Sequence, residues 1–93
     1  MASSVRGKSI KALIRDVADG YIAVNPLFLK SFEPELLRDF YHEISKVQID
    51  IRSEKFPTRD LVAIRDRNVR LQRLYSAVMI IRNFARERRF PLI

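Results

Sequence analysis

Apolar residues recur along this chain at spacings of three and four, and three such runs can be separated. Ile10, Leu13, Ile14, Val17 and Tyr21 form the first, predicting a helix over residues about 9–22 with Ser9 as its N-cap and Gly20 near its end. Leu37, Phe40, Ile44, Val47 and Ile51 form the second, at spacings of 3, 4, 3 and 4, predicting a helix over about 34–52. Pro34 suits its first turn, and Glu33 and Glu35 complement the positive end of its dipole. The third run, Ile64, Leu71, Leu74, Val78, Ile81 and Ala85, lies in a stretch without Gly or Pro between Pro57 and Pro91. It predicts a long helix over about 58–89, with Thr58 and Asp60 as cap and first-turn acid.

The connections follow from what interrupts these patterns. Asn25-Pro26 breaks the first run, because a residue before proline avoids the helical region. Val24 to Phe32 therefore reads as an irregular or one-turn crossing, with a short strand as the alternative. Arg52 to Pro57 is a short polar turn, which makes the second and third helices antiparallel neighbours. Met1 to Gly7 is polar and expected to fray. Phe90 to Ile93 leaves an apolar tail. The fold class is all-α: a small bundle of about three helices with a long C-terminal helix, in a single domain spanning 1–93.

Facing positions refine the picture. Arg67 projects into the apolar seam of the long helix, which suits packing or an ion pair better than solvent. Glu35, Asp39, Glu43 and Asp50 of the second helix are the expected partners of arginines on the third. The long helix also carries Val62, Val69, Tyr75, Met79, Ile80 and Phe84 beside or away from its seam. A helix apolar over more than one stripe needs further partners, so an oligomer is expected.

Composition adds limits. The chain has 93 residues, 47% of them apolar, and two glycines, enough to order one core. It has no Cys, which excludes a disulfide framework, a thiolate zinc site and a cysteine nucleophile. The N-terminus lacks the apolar core of a signal peptide, and no stretch approaches the length of a membrane span. The expected location is therefore intracellular: nuclear in a eukaryote, cytoplasmic in an archaeon. The lone histidine, His42, has no Cys to activate and no second His with which to share a metal, and no Gly-rich phosphate loop occurs. The expectation is a non-enzymatic chain without catalytic, cofactor-binding or metal residues.

The formal charge of +7 leaves nucleic acid as a rival partner. In that reading Arg65, Arg73, Arg86 and Arg88 meet DNA phosphates, with Arg70 on the same solvent side. Against it, Asp66 and Glu87 lie among these arginines, and no interleaved aromatics or helix-turn-helix spacing are evident.

The residues Ile64 to Tyr75, IRDRNVRLQRLY, with Arg82 further along, resemble the signature helix of the GINS family. The resemblance applies to subunits whose helical domain precedes a small β domain. It rests on Arg67, Asn68, Arg70, Tyr75 and Arg82, and extends upstream to ALIRDV and the entry FEPELL, covering about Lys11 to Leu92. It implies a scaffold subunit that packs by its helices against sister GINS subunits and joins the MCM ring and a further accessory factor in the replicative helicase. Those five residues would serve subunit contacts, with Arg67 in an intersubunit or intradomain ion pair. This chain departs from the pattern by stopping at Ile93 without the β domain, which puts contacts made through that domain in doubt.

Overall fold

The computed structural model describes Ser4, Val5, residues 8–89, Pro91 and Leu92. The expected Phe90–Ile93 tail falls partly outside these residues. Among the described residues four helices follow one another: α1 (Ile10–Ala18), α2 (Pro26–Leu29), α3 (Pro34–Ser53) and α4 (Leu61–Glu87). The fold is all-α apart from one two-residue pairing, in which β1 (Ser4–Val5) runs antiparallel to β2 (Lys8–Ser9). Of the stretch expected to fray, Ser4 and Val5 are held in that pairing, and the rest lies outside the described residues.

α1, α2 and α4 each start where a side chain takes up a free amide, whereas α3 starts at Pro34 without a side-chain cap. Ser9 Oγ accepts from the Ala12 amide at 3.2 Å, as predicted. Asn25 Oδ1 accepts from Phe28 N at 2.8 Å, and Pro26 follows at the first position, so the Val24–Phe32 crossing contains a one-turn helix rather than a strand. For α4 the cap is Asp60, whose Oδ1 accepts from Ala63 N at 3.0 Å, and not Thr58. The helix therefore begins at Leu61, three residues later than expected.

α1 ends earlier than residue 22. Tyr21 N donates to Asp16 O at 2.9 Å and Gly20 N to Val17 O at 3.2 Å, the paired bonds of a Schellman turn. Gly20 takes the left-handed conformation this turn requires, φ 86°. Tyr21 is thereby carried out of the α1 face and is 81% exposed.

Leu13, Ile14, Leu29, Leu37, Phe40, Ile44, Leu74 and Ile81 make the solvent-free centre. Phe28, Phe32 and Phe40 form an aromatic cluster with centroids 5.2–6.4 Å apart, tying α2 to α3. The buried arc of α4 is Leu74, Ala77, Ile81, Phe84 and Ala85. This corrects the expected seam, because Leu71, Val78 and Ile64 are only half-buried, while Phe84 is in the core. α4 packs against α3 on one side and against α1 and α2 on another, so its covered arc turns by about 60° towards α1.

Helix lengths decide what remains bare. The 9, 20 and 27 residues of α1, α3 and α4 correspond to about 14, 30 and 40 Å. α1 is too short to cover the α3–α4 hairpin along its length.

Candidate protein interface

The five residues that carry the family resemblance divide into two groups. Arg67 and Arg70 turn inward. The Arg67 guanidinium lies over the Phe56 ring, 5.1 Å from its centroid, with its Nε buried and lacking a hydrogen-bond partner. No ion pair to Arg67 forms among the described residues. Arg70 Nε stands 3.6 Å from Asp19 Oδ1 at the end of α1. Asn68, Tyr75 and Arg82 turn outward on α4, where Arg82 Nε donates to Tyr41 Oη of α3 at 3.2 Å.

Arg73 differs from the solvated role expected of it. Its Nη1 donates to Ala18 O at 3.0 Å, satisfying a carbonyl at the end of α1. A positive charge there also complements the negative end of the α1 dipole. The same guanidinium packs beneath Gly20, where an added Cβ would lie 2.9 Å from Arg73 Cζ. Arg70 and Arg73 thus form a clamp that holds the α1 terminus to α4. Nothing in the local sequence announces it, because the partners are some fifty residues apart.

The remaining nucleic-acid candidates point in different directions. Arg65 is exposed, Arg86 donates to Asn83 Oδ1 at 2.6 Å, and Arg88 folds over Phe84 at 4.3 Å. With Arg73 held to α1, these four cations spread over about 200° of the helix circumference. The expected pairing of α3 acids with α4 arginines is corrected for Glu43, which instead pairs with Lys46 on its own helix at 3.3 Å. Arg70 of α4 instead pairs with Asp19 at the end of α1.

Two recesses open on the surface. One, about 480 Å³, lies between the end of α1 and the middle of α4; Val17, Ile22, Val69, Ile80 and Arg73 line it, and no His, Asp or Glu does. The other, about 400 Å³, brings Ser9 near His42, Asp39 and Glu43. There Ser9 Oγ caps α1, Glu43 is paired with Lys46, and His42 sits edge-on to Tyr41 with ring centroids 5.6 Å apart. Neither arrangement holds a nucleophile against a base.

Apart from Tyr21 and Leu27, the exposed large apolar side chains lie on the α3–α4 hairpin. Leu61 is 82% exposed, Val62 79%, Tyr75 57% and Met79 37%, and Ile49 and Phe56 are open nearby in sequence. From Leu61 to Arg73, α4 has no fully buried side chain, although Ala63, Ile64, Arg67, Val69, Arg70 and Leu71 are half-buried. Such a surface suits a protein partner. Among the described residues no helix is long and apolar enough to cross a membrane.

No protein-family model, curated protein or solved structure matches the chain.

Proposed function

We propose that the chain is a non-enzymatic scaffold subunit that works by packing the exposed part of its α3–α4 hairpin against other protein chains. The observation that carries this is the division of α4: its first thirteen residues are without a fully buried side chain, and they display Leu61 and Val62. Apolar surface of this kind gains free energy when covered, at about 25 cal/mol per Å² removed from water.

The finer reading is a GINS subunit with an N-terminal helical domain, joining sister subunits, the MCM ring and an accessory factor. It rests on the IRDRNVRLQRLY resemblance and on the outward position of Asn68, Tyr75 and Arg82. Arg67 adds nothing to this support, since its Nε is buried within the chain.

Affinity capture of the tagged chain from its native host, followed by identification of the bound chains, tests the proposal. Recovery of GINS-type and MCM-type subunits, reduced by Leu61→Ser with Val62→Ser, supports it. Recovery of nucleic acid alone, lost with rising salt and with charge reversal at Arg65 and Arg86, replaces it with the DNA-binding reading.

A further inference from the structure

We propose that the outward face of α4 is a docking stripe for an acidic amphipathic α-helix of another protein. The inference rests on the scaffold reading and names the chemistry of the partner. Leu61, Asn68, Tyr75 and Arg82 stand seven residues apart, and Arg65, Met79 and Arg86 belong to the row four residues on. At about 100° per residue both rows fall within an arc of about 100°. Two rows with a seven-residue repeat are the geometry by which one helix receives another. Leu61, Tyr75 and Met79 are its exposed apolar positions, and the Arg82–Tyr41 hydrogen bond sets its edge against α3. From Leu61 to Arg86 the stripe is about 38 Å long, the span of a partner helix of about 25 residues.

Charge selects among the occupants. The arc carries Arg65, Arg82 and Arg86, whereas the acids of α4, Asp66 and Glu87, project about 40–100° beyond its edges. A second copy would set arginine against arginine, on a chain already at +7. A nucleic-acid strand would match the arginines but leave Leu61 and Met79 facing phosphate and sugar. Only a helix with an apolar stripe flanked by carboxylates meets both sets of groups.

The probe is a synthetic 25-residue amphipathic helix with Leu along its seam and Glu on both flanks, measured by fluorescence anisotropy against the full chain. Micromolar binding is expected, weakened at least tenfold by Arg65→Glu with Arg86→Glu and, separately, by Tyr75→Glu. A peptide carrying Lys in place of Glu should bind the doubly reversed variant better than the original chain. Circular dichroism of each variant checks that these exposed substitutions leave the fold intact. Equal binding of a peptide with the same composition and a scrambled seam would overturn the proposal. So would self-association in sedimentation that the same variants abolish, or displacement of the peptide by oligo(dT) at physiological salt. If host subunits are captured equally well by the Tyr75→Glu variant, the stripe falls and the scaffold reading stands; peptide binding without such capture gives the converse.

Discussion

From Leu74 onward α4 buries five side chains among α1, α2 and α3, whereas from Leu61 to Arg73 it buries none fully. The two halves belong to one uninterrupted helix and hold equal numbers of aliphatic residues, but the first carries four arginines against two, and the second adds Tyr75, Met79 and Phe84. The reach of the rest of the chain separates them as well. α1 has nine residues and ends in a Schellman turn at Gly20, so it covers only part of a hairpin that is three times as long. The second half supplies the core contacts, while the first holds the α1 terminus through Arg70 and Arg73 and leaves Leu61 and Val62 bare. One uninterrupted helix can therefore divide its work by position.

The largest test of this difference is a large-to-small change at the enclosed end. Phe40 is solvent-free and touches both Phe28 and Phe32. Phe40→Ala removes a ring from a site walled by two others and should cost about 3–5 kcal/mol in chemical denaturation. That is a large share of the roughly 5–15 kcal/mol available to a domain. A loss below about 1 kcal/mol would mean that the enclosed end is not the stabilising one.

Next in size is the turn that ends α1. Gly20→Ala places a Cβ 2.9 Å from Arg73 Cζ on a backbone at φ 86°, and should destabilise by about 1–2 kcal/mol. Introducing Arg73→Ala as well separates the two causes. The steric part is relieved when the guanidinium is gone, while the conformational part persists, so the double mutant should be less destabilised than the sum of the singles. Strict additivity would show that Arg73 does not rest on Gly20.

Smaller still is the ion pair at the same junction. Arg70 and Asp19 are both partly exposed and stand 3.6 Å apart, so either Arg70→Ala or Asp19→Ala should cost under about 1 kcal/mol, with the coupling reduced in high salt. A cycle of the two substitutions measures that coupling directly. A coupling energy near zero would leave Arg73 as the clamp's working member.

Which of these features could be read beforehand depended on how local their causes are. The limits of α3 followed closely from Pro34 and the polar turn after Ser53, because both act within a few residues. The start of α4 did not, since Thr58 and Asp60 can each cap a helix and only the bonded one, Asp60, decides. The apolar period located a buried arc on α4 but missed its rotation towards α1, which places Ala77 and Phe84 inside and leaves Leu71 and Val78 half-open. A period marks where apolar residues lie and cannot tell how many neighbours share them. Arg73 was the deepest miss: its partner is a backbone carbonyl on a distant helix, and a carbonyl has no sequence signature. The exposed stripe of α4 was partly legible, because Tyr75 and Met79 already stood apart from the seam.

The smallest expected effect is also the one that most directly addresses the open half. Leu61→Ser and Val62→Ser replace side chains that are 82% and 79% exposed, so they remove little apolar contact. Their stability in the isolated chain should stay within about 0.5 kcal/mol of the original, as for surface sites elsewhere. Amides between Leu61 and Arg73 should exchange with deuterium faster than those between Leu74 and Ala85, because fewer buried contacts resist local opening. Both measurements use the single chain, and both change sign in meaning once a partner is present. Bound, the same two substitutions should weaken association while folding stays as before, which separates an interface from a core. A loss above about 1 kcal/mol in the isolated chain would show that the molecule already covers these residues itself, and the contrast between the two halves of α4 would disappear.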